Sequence, residues 1–136
     1  MVILEHIQKI FHQNTPNENH ALVDLSLEIQ DGDFITVIGS NGAGKSTMLN
    51  AIAGVYPVDG GKIILDGQDI TNLPEYKRAA FIGRVFQDPM LGTAPSMTIE
   101  ENLSMAYARP KNMTLGWGLD FNRRKEFKEY LKNIPL

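Results

Sequence analysis

Nine consecutive residues, Gly39-Ser40-Asn41-Gly42-Ala43-Gly44-Lys45-Ser46-Thr47, carry the chemistry of this chain. They fit G-x-x-x-x-G-K-[ST], the Walker A pattern. In this pattern successive backbone N–H groups turn inward and form a concave anion site, with glycines keeping Cβ atoms out of the way. A helix beginning at the loop adds its unpaired N-terminal amides and the positive end of its dipole. Lys45 can reach the β and γ phosphates of a nucleotide, and the Ser46 hydroxyl can ligate Mg²⁺. The residues expected to hold phosphate are therefore Gly39, Ser40, Asn41, Gly42, Ala43, Gly44, Lys45, Ser46 and Thr47.

The flanks supply the elements this chemistry needs. Phe34-Ile35-Thr36-Val37-Ile38 is a short, almost wholly apolar run expected to form a buried strand. Thr47 to Ala53 places Met48, Leu49 and Ile52 at helical spacing, with Gly54 suited to a C-cap and Pro57 just beyond. Strand, loop and helix thus follow in the order required.

Upstream, residues 2–12 read as a strand. From 23 to 29 the alternation is strict, with Val23, Leu25, Leu27 and Ile29 on one face, so a half-buried antiparallel strand is expected. Asp31-Gly32 marks a turn. Downstream, Lys62 to Asp66 reads as a strand entering a hairpin at Asp66-Gly67. Asp66 ends an apolar strand, as a Mg²⁺-assisting aspartate would, but Gly67-Gln68 follows and the hairpin accounts for it. Pro74 opens a short helix over 74–80, and Phe81 to Phe86 is a second expected core strand. Thr98 and Glu101 form a capping box for a helix near 99–108, on which Leu103, Ala106 and Tyr107 can share a face. Residues 109–118 read as irregular. A last helix over 121–133 carries Phe127, Tyr130, Leu131 and Ile134 as a stripe with no evident partner downstream.

Composition sets the bounds. At 136 residues, 43% hydrophobic and 21% charged, the chain suits one modest soluble domain. No apolar run approaches the ~20 residues of a membrane span, and no signal-peptide layout opens the chain, so a cytoplasmic location is the expectation. Absence of cysteine excludes disulfides and thiolate metal sites. His6, His12 and His20 lack the spacing of a metal site. The net charge of −3 is uneven: residues 1–108 hold six Lys/Arg against thirteen Asp/Glu, residues 109–136 seven against three. The basic charges of the second segment are interspersed with acids and apolar residues, which favours a solvated helix face over a site for nucleic acid or an anionic membrane surface.

Taken together, Ala21-Leu22…Leu25-Ser26-Leu27, Asp31-Gly32-Asp33, Gly39 to Thr47, Gly61 to Asp69 and Val85-Phe86-Gln87-Asp88-Pro89 resemble the ATP-binding subunit of ABC transporters over nearly the whole chain. Pro89 to Pro95 further resembles an importer-type branch of that family. The resemblance implies an α/β fold of the P-loop NTPase type. Its core sheet would be mostly parallel, preceded by an antiparallel N-terminal β subdomain and followed by the start of a helical subdomain. Residues 1–88 would form the β subdomain and phosphate-loop core, and 89–136 the Q-loop and an incomplete helical subdomain. It implies ATP and Mg²⁺ as cofactors, with Lys45 and Gln87 catalytic. Ser46 and Gln87 would lie at the metal, and Phe11 would stack on adenine in place of the family's more usual tyrosine. It implies a second nucleotide-binding subunit and transmembrane permease subunits as partners, and a cytoplasmic position peripheral to the inner face of the membrane through those permeases. The chain also departs from the family. No LSGGQ-like signature, no strand ending in Asp-Glu and no switch histidine occur in the 136 residues. A truncated nucleotide-binding domain without turnover is therefore expected. The alternatives are a non-hydrolysing nucleotide-binding or subunit-interaction module, or another P-loop enzyme such as a small kinase, which would need a lid and a Walker B strand.

Overall fold

The computed structural model describes residues 1–40, 44–109 and 121–135. The chain divides into two units, Met1–Arg78 and Ala79–Leu136.

In the first unit, β1 (Val2–Phe11) and β2 (Asn19–Ile29) form an antiparallel pair, and β3 (Gly60–Leu65) lies antiparallel on the other side of β1. A short β4 (Gln68–Asp69) completes a four-stranded sheet of order β2-β1-β3-β4. The α/β class and the antiparallel N-terminal sheet expected from the sequence are both present. The turn at Asp66-Gly67 has positive φ at both residues, 47° and 79°, and joins β3 to β4 where Leu65 pairs with Gln68. That is the primed geometry whose twist matches a hairpin. Asp66 is thus a turn residue, as its Gly-Gln sequel indicated.

The alternation expected from 23 to 29 is broken. Val23 points out, 70% exposed, while Leu22 is buried. The cause is a pair of bulges. His6 on β1 and Asp24 on β2 both take positive φ, 50° and 51°, and the pairing jumps from Ile7–Leu25 to Lys9–Leu22. An extra residue in one strand moves later side chains to the other face. Buried Leu4, Ile7, Leu22 and Ile63 then meet Met48 and Ala51 of α1 (Lys45–Ala53) and Ile70 to make the core of this unit. Helix α2 (Glu75–Arg78) closes it.

The expected core strands at 34–38 and 81–86 do not form. Neither joins a sheet, and among the described residues none of the strand pairs is parallel. Phe34 is 96% and Ile38 89% exposed, as is Val85 at 96%. A strand is defined by the neighbours that take up its N–H and C=O groups. These two segments have β composition but no such neighbours.

The second unit holds a 3₁₀ turn at Pro89–Gly92, then α3 (Ile99–Ala108) and α4 (Phe121–Lys132). The capping box is present in both directions, with Glu101 N–H donating to Thr98 Oγ1 at 3.3 Å and Thr98 N–H to Glu101 Oε2 at 2.7 Å. Of the α4 stripe, Phe127 is buried and meets Tyr107 edge to face at 6.1 Å, whereas Tyr130 and Ile134 stay exposed. Leu103 and Tyr107 are half-buried but Ala106 is exposed. The irregular segment expected at 109–118 lies outside the described residues after Arg109.

Candidate functional site

Helix α1 starts at Lys45, directly after Gly44. Gly44 has φ 90°, and a Cβ built there would lie 2.8 Å from the Ala21 carbonyl oxygen. Only glycine can combine the left-handed turn with this approach to β2. The sheet therefore fixes where the loop ends and the helix begins. Gly39 and Ser40 are exposed, Lys45 and Thr47 half-buried, and Ser46 exposed at the head of the helix. The Lys45 ammonium donates to the carbonyl oxygen of Gly39, drawing the two ends of the loop together. Asn41, Gly42 and Ala43 lie outside the described residues.

The other end of α1 is equally defined. Gly54, φ 87°, receives the chain in the left-handed region. Its N–H donates to Ala51 O at 3.3 Å and the Val55 N–H to Asn50 O at 2.9 Å, the two bonds of a Schellman cap. The helix is thus held at both ends. Its free N-terminal amides and dipole point to the loop, which suits phosphate.

Phe11, the last residue of β1, is half-buried. Its ring meets Tyr56 edge to face at 5.2 Å, and the Lys9 ammonium sits 5.2 Å from its centroid. Lys9 is itself nearly buried, 3.8 Å from Asp59 Oδ2, and that same oxygen accepts from the Ile10 N–H at 2.7 Å. Lys9 and Tyr56 were not singled out from sequence. A lysine two residues before an aromatic on one strand shares its face, which is the signal that was available.

Gln87 is exposed in the second unit, next to Asp88, whose side chain accepts from the Met90 N–H at 2.9 Å and caps the 3₁₀ turn. Two of the three histidines pair with carboxylates: His6 Nδ1 lies 2.5 Å from Asp24 Oδ1, and His20 Nε2 2.8 Å from Glu18 Oε1.

The donor set fits a magnesium nucleotide. A lysine at the head of the helix that reaches back across the loop and an exposed hydroxyl beside it are complementary to a polyphosphate and its metal. Loop, helix and α/β setting define a P-loop nucleotide-binding protein. The sequence profile of the family described as ABC transporter matches residues 22–136, and the chain belongs to that family. It is 48% identical over 115 residues to a tyrosine transport ATP-binding protein of Clostridioides difficile, covering 85% of this chain and 46% of that relative. To a spermidine/putrescine import ATP-binding protein of Haemophilus influenzae it is 40% identical over 111 residues, covering 82% of this chain and 27% of the relative. The chain therefore spans less than half the length of either. An ATP-binding cassette solved as a dimer with ADP and Pi superposes with a TM-score of 0.77 at 29% identity, over 97% of this chain and 56% of that one. Among the described residues no helix is long and apolar enough to cross a membrane.

Proposed function

We propose that this chain binds MgATP as part of an ABC transporter ATPase subunit that couples ATP hydrolysis to solute transport across a membrane. The observation that carries this reading is the phosphate loop between the sheet and α1, closed by Gly44 against Ala21 and bridged by Lys45. Lys45 would hold the β and γ phosphates, the amides of residues 42–47 would take the remaining oxygens, and Ser46 would ligate Mg²⁺. Mg²⁺, when bound, supplies charge neutralisation across the phosphates. Phe11 would stack its ring on adenine. The role of Gln87 at the metal and the attacking water comes from the family resemblance alone.

The partners that follow are a second nucleotide-binding subunit and transmembrane permease subunits. The protein would then sit on the cytoplasmic side, peripheral to the inner face of the membrane through those permeases. The names of the relatives support solute transport, and that of the spermidine/putrescine relative supports import. The 136 residues alone would bind without turnover.

Calorimetric titration with MgATP tests the proposal. Lys45→Ala removes a charge-assisted contact and should weaken binding by ~1.5–3 kcal/mol. Equal affinities in variant and parent would remove the basis for the assignment.

A further inference from the structure

Arg78, the last residue of α2, is buried to 2% exposure without a carboxylate partner among the described residues. Its guanidinium is held by carbonyl oxygens instead. Nη1 donates to Ala51 O at 2.8 Å and to Ile52 O at 2.9 Å, both in the last turn of α1. Nη2 donates to Thr71 O at 2.9 Å and Nε to Leu73 O at 2.8 Å. Four of five N–H donors are thereby used, two on the helix and two on the segment that leaves β4.

The arrangement is specific to arginine. A buried cation is costly unless dipoles or charges compensate it. Here the compensation is the negative end of the α1 dipole, worth most when the cation lies at the last turn. Helix α1 carries no basic residue in its own last turn, so the charge comes from outside the helix. The cap glycine makes the room: a Cβ at Gly54 would stand 3.0 Å from both Cδ and Nε of Arg78. Lysine could keep the charge but not the planar fork that binds two elements at once.

We propose that Arg78 is a positioning residue for the phosphate loop. It clamps the C-terminal end of α1 to the segment 71–73, and so fixes the direction in which the N-terminal end, about 13 Å away along a nine-residue helix, presents its amides and Lys45 to phosphate. This inference rests on the nucleotide-binding reading of the loop. It places a determinant of phosphate affinity in the sequence well outside the loop, at a residue with no direct path to the ligand.

The test uses the full 136-residue chain, Arg78→Lys, and Ile63→Val as a core variant of matched or greater loss in melting temperature. Affinities for MgATP and for inorganic triphosphate are measured where each variant is fully folded. Arg78→Lys should weaken both ligands alike by about five- to tenfold, the scale of one or two lost hydrogen bonds, while Ile63→Val stays near the parent. Equal affinities in Arg78→Lys and Ile63→Val would reduce Arg78 to a purely structural role and overturn the inference, leaving nucleotide binding itself intact. If the parent chain binds no nucleotide, the functional reading fails separately. Hydrogen exchange then decides on Arg78: its replacement should unprotect the amides of residues 49–53 selectively over those of β1 and β3, and a uniform change would overturn the clamp. Should Arg78→Lys fail to fold, Gly54→Ala, which pushes on Cδ and Nε, carries the same measurements with the same two outcomes.

Discussion

At the scale of single residues, Gly44 and Phe11 make separable demands on the ligand. Gly44→Ala must place a side chain in the left-handed region, at ~1–2 kcal/mol, and must also move away from the Ala21 carbonyl that lies 2.8 Å from the new Cβ. Both costs fall on the junction of loop and helix. The variant should therefore lose affinity for ATP and for inorganic triphosphate to the same extent, which parallel titrations would reveal; an unchanged triphosphate affinity would detach Gly44 from the phosphate site. Phe11 should behave differently. Its contribution is a π face, so Phe11→Ala should weaken ATP by ~1 kcal/mol more than inorganic triphosphate. Equal losses for the two ligands would mean that the ring serves only its packing with Tyr56 and Lys9.

At the scale of elements, the β3–β4 hairpin is pinned by a short polar chain. Thr71 Oγ1 accepts from the Ile63 N–H at 2.9 Å and donates to Asp69 Oδ1 at 2.5 Å, and the same oxygen takes the Thr71 N–H at 2.9 Å. The Thr71 hydroxyl, then its N–H, hold the Asp69 carboxyl below the usual carboxylate range. A depressed value means that the folded state favours the ionised form. Its stabilisation is complete above the unfolded pKa of about 3.9 and is lost as pH falls through the lower folded value. Asp69→Asn should thus lower the melting temperature at neutral pH and lose that difference in strong acid; a difference independent of pH would assign the effect to geometry. In the second unit, Thr98→Ala removes a cap with both of its bonds in place and should cost the α3 helix ~0.5–2 kcal/mol, read as faster exchange of amides 101–108. These two elements also mark what was legible beforehand. The Asp66-Gly67 turn and the Thr98–Glu101 box are written in adjacent residue types, because local hydrogen bonding alone decides them. The exposure of Val23 was not legible, since it follows from bulges at His6 and Asp24 that only strand pairing reveals. Arg78 was equally silent, because its partners are carbonyl oxygens, which every residue has. The start of a helix directly after Gly44 could be read from its sequence. Phe34 to Ile38 and Phe81 to Phe86 could be read only as strand-like composition, since a ladder needs a neighbour that local sequence does not specify.

At the scale of the whole molecule, the question is whether a chain able to hold a nucleotide can also turn it over. Phosphoryl transfer is catalysed mainly by positioning and by electrostatic stabilisation of charge on the γ phosphate. Under the proposed function, Lys45, Ser46 and the loop amides serve ground-state binding. Turnover asks in addition for a carboxylate to help hold Mg²⁺ and for a group that orients water. The carboxylates that come closest in sequence are engaged elsewhere. Asp66 lies in the β3–β4 turn and accepts from the Met1 amino group at 2.6 Å. Glu100 and Glu101 are the only adjacent acidic pair in the sequence. Glu101 is committed to the capping box with Thr98, and Glu100 lies 3.5 Å from Arg124. Their place in the first turn of α3 is accounted for by the helix itself. Interactions equally strong in ground and transition states lower KM without raising kcat, so tight binding of MgATP by the loop would not by itself produce hydrolysis. The 136-residue chain, saturated with MgATP, is therefore expected to release no phosphate beyond the level of Lys45→Ala, which serves as the control for contaminating ATPases. Multiple turnovers by the parent that vanish in Lys45→Ala would show that one of these carboxylates leaves its present partner and serves the γ phosphate, and Glu100→Gln and Asp66→Asn would then identify which.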